Sequence, residues 1–481
     1  MSSSLKRNLV TGFLWSFVGQ FGYLFVALLS NIILVRLLSP FEFGQIGIIM
    51  FFIIFAKVLT ESGLSGALVR KNYATQEDCS TVFIFNLIIS FVLFLIFLFS
   101  SGYIAEFYDD PSLKKILMVS SSILIINAFQ ITHNAKLVRD LKFKKKSIYA
   151  FISILIASIV GVFMALNGAG VWSIVTMQIL TSLILSILLW IFEEPIGKLV
   201  FSKSSFKGLY KFGVFTTLSS LLNTAFDNIY QLILGKYFSI NQTGLFYQAK
   251  KLQEIPVGII KTTTLGVVFS SLAKLQDDPK DFSQMYGRIV TVFTAILGFI
   301  CVFIFLYAEN IIKILYGSNW IGAVFYMQIL IIASFFYMQE MFNRVIFKVF
   351  DKTEKILYLE ILKKIVQSIT ILIGVIFLDI EILLYGFLVT SIVSYFINAY
   401  YSKKVLGSFS WEEIIITIKV TSAAGIVTIT SSFLVRFLSL HNYYTFLILP
   451  ILIFIYFVLL RLMKVANILS DTKTIFKLIK K

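Results

Sequence analysis

The stretch TVFIFNLIISFVLFLIFLFSSGYIA, residues 81–105, decides the fold, because it runs for 25 residues without one charged side chain. A helix rises about 1.5 Å per residue, so such a run outreaches a hydrocarbon core of roughly 30 Å. Outward from it, further apolar segments fall near residues 10–36, 43–61, 115–134, 147–167, 170–192, 210–235 and 244–273. Others follow near 286–308, 322–346, 355–378, 380–401, 412–436 and 442–464, which predicts fourteen spans. Lipid offers the backbone no hydrogen-bond partner, and the alternating pattern of barrel strands is absent. The expected fold class is therefore an all-α integral membrane protein. The first run is too long for a signal-peptide core and is expected to stay as the first span.

The whole chain of 481 residues agrees, being 58% hydrophobic and 14% charged with a mean hydropathy of +0.90. Soluble domains carry about 25% charged residues. The 42 Lys and Arg against 25 Asp and Glu would suggest nucleic acid in a soluble protein. In a membrane protein, cytoplasmic loops and anionic membrane lipids explain the surplus, so nucleic acid is not an expected partner. Cys79 and Cys301 cannot build a disulfide framework, and His133 and His441 stand alone, so neither metal nor cofactor is expected.

Positive charge collects in alternate gaps between spans: Lys136, Arg139, Lys142, Lys144, Lys145 and Lys146, then Lys198, Lys203, Lys207 and Lys211. Arg344, Lys348, Lys352 and Lys355 mark a third such gap, and Lys403 and Lys404 a fourth. Lys6 and Arg7 precede the first span, and Arg461, Lys464, Lys473, Lys477, Lys480 and Lys481 follow the last. The intervening gaps hold Glu106, Asp109 and Asp110, or the neutral run Asn167 to Gly170. This asymmetry predicts cytoplasmic termini in a bacterial inner membrane. All gaps are short, which leaves no room for a soluble catalytic domain, so an enzyme is not expected.

A shift of 200 residues sets Arg36 on Lys236, Ser39 on Ser239, Gly44 on Gly244 and Asn31 on Gln231. Further on, Tyr108 answers Tyr316 and Tyr149 answers Tyr358. Six spans per copy keep the orientation, as in transporters built from parallel repeats. The expected organisation is a six-helix lobe over 1–200, a second over 201–405, and two appended helices with a tail over 406–481.

Ionisable groups inside spans are costly and mark cavities. In the eighth span Lys250, Glu254 and Lys261 fall within about 40° of one another around the helix, with Pro256 favouring a bend. Lys251 lies beside them. The seventh span carries Asn223, Asp227 and Gln231 at spacing four, the first carries Gln20 and Asn31 on one face, and the second carries Lys57 and Glu61. The expected substrate-binding set is Lys261, Lys250, Lys251, Lys57, Asn31 and Gln231, with Arg36 and Lys236 at the external mouth. The competing reading makes Lys57–Glu61 and Lys250–Glu254 structural pairs, and sets Lys261 to neutralise Asp227 or Glu61. Glu340 with Arg344 and Glu360 with Lys364 read as structural ion pairs. Asp227, Asn223, Glu61 and Glu254 are the candidates for coupling to Na⁺ or H⁺.

Several stretches resemble the polysaccharide-biosynthesis exporters, the O-antigen-type flippases of the multidrug/oligosaccharidyl-lipid/polysaccharide superfamily. They are RLLSPFEFGQIG (36–47), LTESGLSGALVRKN (59–72), GAGVWSIV (168–175), FDNIYQLILGKYFS (226–239), TGLFYQAKKLQEIPVG (243–258), SSLAKLQDDP (270–279) and LYGSNW (315–320). The resemblance implies a fold similar to multidrug and toxin extrusion transporters, with two six-helix lobes around a cavity plus two helices. It also implies an undecaprenyl-pyrophosphate-linked oligosaccharide as substrate, and a polysaccharide polymerase and other envelope assembly proteins as partners. Where relatives often carry Arg, this chain has Lys251, which keeps the charge but loses bidentate phosphate geometry. The runner-up function is a cation-coupled multidrug exporter, which would use acidic groups. A membrane-embedded glycosyltransferase or ligase would need a large external loop, and none is present.

Overall fold

A computed structural model of the protein describes residues 3–61, 63–71, 73–264, 268–406, 411–438 and 442–465, and every regular element among them is helical. The basic tail residues Lys473, Lys477, Lys480 and Lys481, and also His441, lie outside the described residues. Helices α1 (Ser3–Leu37), α2 (Pro40–Glu61), α3 (Leu64–Arg70), α4 (Gln76–Phe107), α5 (Ser112–Arg139), α6 (Phe143–Leu166) and α7 (Val171–Phe192) come first. Then follow α8 (Lys203–Tyr237), α9 (Ile240–Thr263), α10 (Phe269–Ala273), α11 (Pro279–Leu306), α12 (Ala308–Leu315) and α13 (Ala323–Val349). The chain continues through α14 (Thr353–Ile376), α15 (Ile380–Leu406), α16 (Glu412–Phe437) and α17 (Leu449–Leu462), with a 3-10 turn over Asn442–Ile448 leading into α17. Thirteen of these helices have 22 residues or more, and the turn joined to α17 supplies the fourteenth long segment.

Eleven of the fourteen are long and apolar enough to cross a membrane, so the chain is an all-α, multi-pass membrane protein. The three that fall short in apolarity are α8, α9 and α14. They are long enough, but they carry the polar stripes. Lys261 lies in the last turn of α9, and α10 follows after residues 264–268, of which 265–267 lie outside the described residues.

Helix starts are written in local sequence. Ser39 precedes Pro40, and its backbone N–H donates to Glu42 Oε2 at 2.7 Å while the Glu42 N–H points back to Ser39 Oγ at 3.4 Å. Asp278 precedes Pro279 and accepts from the N–H groups of Lys280 and Asp281 at 3.0 Å each. In both, a short polar side chain satisfies orphan donors, and proline fills the first position, where no donor is needed. Thr75 and Asp78 form a reciprocal capping box at α4, and Asp78 also holds Lys71 at 2.6 Å.

The chain divides into two compact units, Met1–Tyr247 and Gln248–Lys481. In the first, α2 and α5 are central: α2 packs on α5 and α8, α5 on α4 and α7, while α6 lies between α1 and α7. Outer helices turn Phe99, Ile159, Phe163 and Ile191 outward, as lipid-facing surfaces require. In the second unit α13 is central, packed on α11, α14 and α15, and α16 and α17 close over α11. Phe282, Ile331, Met338, Phe342, Val420 and Tyr456 share that core, and Tyr456 donates to the Ala295 carbonyl at 2.8 Å.

Helix bounds carry the repeat. Helices α1 and α8 both have 35 residues, and their bounds differ by 200 at each end. Helices α2 and α9 begin at 40 and 240, and α6 and α14 both have 24 residues, offset by 210. The single-residue matches are uneven: Tyr108 and Tyr316 are both buried at helix ends, whereas Tyr149 is buried and Tyr358 exposed.

Candidate functional site

In the first unit the ends of α1 and α8 carry Arg36 and Lys236 in their last turns. Lys236 is engaged with the α4–α5 connection: its Nζ lies 3.3 Å from Asp109 Oδ2 and 4.8 Å above the Phe107 ring. The pair is open to solvent, which keeps it weak and exchangeable. Nearby, Gln45 of α2 donates to Asp110 Oδ2 and Ser112 Oγ at 2.6 Å each, tying α2 to the start of α5. Along α8, Asp227 is exposed, Asn223 half-buried and Gln231 buried, so the stripe passes from open to packed surroundings. The Gln231 carbonyl accepts from Thr243 Oγ1 at 3.3 Å. Asn31 is half-buried on α1. Lys57 and Glu61 form a half-exposed pair at 3.9 Å, as their spacing suggests.

In the second unit Lys250 and Glu254 pair at 4.0 Å, with the lysine mostly buried and the carboxylate open. Lys251 is half-buried beside them. Helix α9 runs through Pro256 and is fastened to α13 by Gln253 Nε2, which donates to Ser334 Oγ at 2.5 Å. Lys261 is exposed in the last turn. Among the described residues of this unit it has no carboxylate partner. The eight binding candidates therefore do not form one cluster within either unit. Lys250 sits about 16 Å along α9 from Lys261, and Glu254 about 10 Å.

Two buried polar networks tie the helices of this unit together. Glu340, fully buried on α13, accepts from Arg344 and from Lys363 Nζ at 3.0 Å, and Arg344 also reaches Glu360. Lys363 lies 4.9 Å above the Tyr337 ring. The expected Glu340–Arg344 pair is present, and Glu360 with Arg344 and Lys363 with Glu340 join α14 to α13 as well. Two cations balance two anions, which is what burial of charge demands. The second network centres on Glu413 of α16. It accepts from Asn343 at 2.8 Å and Tyr286 at 3.3 Å and lies 3.8 Å from Lys403. Ser402 donates to Asn343 at 2.5 Å, so α11, α13, α15 and α16 meet there. Both networks depend on helix rotation, which spacing in one helix does not encode.

The cluster at 136–146 is partly neutralised. Arg139 and Lys142 reach Asp140 at 3.1 and 3.6 Å, and Lys145 reaches Glu193 at 2.8 Å. Glu193 follows α7; burial pushes its carboxyl up, but hydrogen bonds from Lys145 and Tyr149 and the Lys145 charge outweigh that and hold it below the ordinary value. Among the described residues, no three His, Cys, Asp or Glu side chains are grouped to hold a metal ion.

The chain matches the family described as polysaccharide biosynthesis protein over residues 33–325. It is 24% identical to the succinoglycan biosynthesis transport protein ExoT of Rhizobium meliloti, over 64% of this chain and 62% of that protein. The match therefore spans less than two thirds of that relative's length. It is 22% identical to the teichuronic acid biosynthesis protein TuaB of Bacillus subtilis, over 69% of each chain. Among solved structures, the lipid II flippase MurJ in an inward closed conformation superposes with a TM-score of 0.71 at 16% identity, over 93% of this chain and 98% of that one. An inward-facing multidrug resistance transporter of the MATE family gives 0.62 at 16% identity, over 79% and 94%. With more than half of its length matched, the chain belongs to the polysaccharide biosynthesis protein family.

Proposed function

We propose that the protein is a flippase that carries an undecaprenyl-pyrophosphate-linked oligosaccharide from the cytoplasmic to the outer leaflet of the inner membrane by alternating access. The observation that carries this reading is the contrast within the fold. Eleven helices are apolar enough for lipid, while α8, α9 and α14 are long but too polar. On α9 three lysines stand against one glutamate. A sugar-pyrophosphate head is anionic and large, so it needs a wet cationic path while its tail stays in lipid. The named relatives act in the biosynthesis of succinoglycan and of teichuronic acid, which fits an oligosaccharide repeat unit as cargo. Transport of this kind needs no catalytic residue.

In this reading Lys261, Lys250, Lys251 and Lys57 contact the head, with Asn31 and Gln231 beside them and Arg36 and Lys236 at the external mouth. The two six-helix lobes, 1–200 and 201–405, move about the bound head, and 406–481 is an appendix. Both termini face the cytoplasm. Asp227, with Asn223, Glu61 and Glu254, is the candidate for Na⁺ or H⁺ coupling. Released substrate would pass to a polysaccharide polymerase. A multidrug exporter on the same fold is disfavoured because Glu61 and Glu254 are each matched by a lysine.

The test is translocation in proteoliposomes. Purified protein should move defined lipid-linked oligosaccharides to the opposite leaflet, with a rate that responds to an ion gradient. Transport of cationic drugs without movement of any lipid-linked sugar would replace this reading with the exporter.

A further inference from the structure

Two adjacent acids in the α4–α5 turn divide their work. Helix α4 ends in a cap in which the Asp110 N–H donates to the Ala105 carbonyl at 3.0 Å and the Asp109 N–H to the Glu106 carbonyl at 3.1 Å. The residue that turns the chain in such a cap takes a left-handed backbone, and glycine is its usual occupant. This chain places Asp109 there, at φ +56°. Asp110 is buried and fixes the turn, accepting from Gln45 at 2.6 Å and from Ser112 Oγ at 2.7 Å. The turn is also docked on α8. Tyr108 is buried and donates to the Leu232 carbonyl at 3.5 Å, and a Cβ on Gly235 would come within 3.1 Å of the Tyr108 ring and 2.8 Å of Ile48. One helical turn beyond Leu232, Lys236 sits 4.8 Å above the Phe107 ring with its Nζ 3.3 Å from Asp109 Oδ2. The Asp109 side chain is 84% exposed and that of Lys236 31%. A fixed turn therefore presents to Lys236 a carboxylate that another anion can replace.

We propose that Asp109 stands in for substrate phosphate on Lys236: it holds the lysine between cargoes, yields it to the pyrophosphate of an arriving head, and reclaims it as the head leaves. The proposal rests on the flippase reading, in which Lys236 contacts the head at the external mouth, and adds to it the residue that promotes release. A carboxylate and a phosphate offer an ammonium the same kind of charged oxygen acceptor, so the two compete for one position. An exposed ion pair is weak, so the free-energy step is small in both directions. The Phe107 ring keeps the lysine in place during the exchange, since a cation over a ring face needs no carboxylate there. Asp110 cannot take this part, because its oxygens are engaged by Gln45 and Ser112. The left-handed position held by Asp109 fits the same reading: an acid stands where glycine would serve the cap alone.

The experiment uses full-length protein in phosphatidylcholine nanodiscs, with binding titrated by native mass spectrometry. The probes are polyprenyl pyrophosphate, the uncharged polyprenol, and phosphatidylglycerol as a bilayer anion. Asp109→Asn tolerates the left-handed backbone and removes the charge, and Asp109→Gly suits that backbone outright. Both variants should bind the pyrophosphate about threefold more tightly than wild type, with polyprenol unaffected. Lys236→Gln should bind it about tenfold more weakly. In the Lys236→Gln background Asp109→Asn should change nothing further, because Asp109 acts through that lysine. A gain that persists in that background assigns the effect to general repulsion by the carboxylate and overturns the exchange. Pyrophosphate binding no tighter than wild type in both Asp109 variants also overturns it, and leaves the pair a structural latch. So does a gain confined to phosphatidylglycerol, which makes Lys236 a bilayer anchor. If wild type itself does not distinguish pyrophosphate from polyprenol, the flippase reading falls, and the exchange with it.

Discussion

Gly44 and Gly244 occupy equivalent places at a single helix crossing. A Cβ on Gly44 would lie 1.8 Å from the Ile240 carbonyl oxygen, and a Cβ on Gly244 would lie 1.8 Å from the Pro40 carbonyl oxygen. Each residue of one repeat thus meets the counterpart of its partner's neighbour in the other, 44 with 240 and 244 with 40. That exchange is the local signature of a two-fold relation. The first turns of α2 and α9 touch backbone to backbone, a distance that only glycine allows.

Gly44→Ala and Gly244→Ala should each force these turns apart, since the obstacle is a main-chain carbonyl that cannot rotate away. Overpacking of this kind costs about 1–3 kcal/mol. Gly258→Ala is the control, because nothing lies within 4 Å of its would-be Cβ. Thermal unfolding of purified protein should drop for the first two and hold for the third. Equal unfolding temperatures for all three would mean that the crossing is not a tight contact.

The sequence made much of this legible. Apolar segments marked all fourteen long helices, although α8, α9 and α14 carry charged residues within them. Gly44 matched Gly244 before any contact was known. What stayed hidden depends on rotation and partner choice. Glu360 also meets Arg344 of another helix, a partner that spacing within its own helix does not name.

Topology can be read with single cysteines, but the structure changes which ones serve. Asp110 is buried and holds Gln45, and Cys79 is buried, so neither reports on sidedness. Asn167→Cys and Asp109→Cys stand at exposed turns and should react with an impermeant reagent from outside. Lys198→Cys should not react in intact cells. The reverse pattern would invert the assigned orientation.

Glu193 sets a pH dependence. Its carboxyl is held below the ordinary value of 4.5 in the folded protein, so the charged form is the one that Lys145 and Tyr149 stabilise. A depressed folded value adds stability above the unfolded pKa, and that stability is lost as pH falls through the folded one. Glu193→Gln should therefore cost on the order of 1 kcal/mol near neutral pH. The gap from wild type should close as pH drops below the ordinary carboxylate range. A gap that persists unchanged in acid would assign the loss to packing.

Asp227 is exposed on α8 and carries the coupling proposal. Asp227→Asn should leave unfolding temperature unaltered and make translocation insensitive to the ion gradient. Gradient-driven transport at the wild-type rate in that variant would confine Asp227 to a structural role.

Lys261 offers the sharpest test of the binding assignment, because it is exposed and has no acid partner of its own unit among the described residues. An exposed ammonium there is open to the anionic head that the substrate brings. Lys261→Ala should abolish export while membrane levels of the protein stay normal. Lys261→Arg should retain part of the activity, since the charge survives with altered geometry. Lys261→Glu should be inactive, because a carboxylate there repels phosphate. The competing role, charge neutralisation inside the protein, makes a different forecast: Lys261→Ala would lose stability and regain it when an acid is neutralised. Export restored in Lys261→Ala/Asp227→Asn would therefore assign Lys261 to internal charge balance. Export untouched by Lys261→Ala alone would remove it from both roles and leave α9 without its principal phosphate contact.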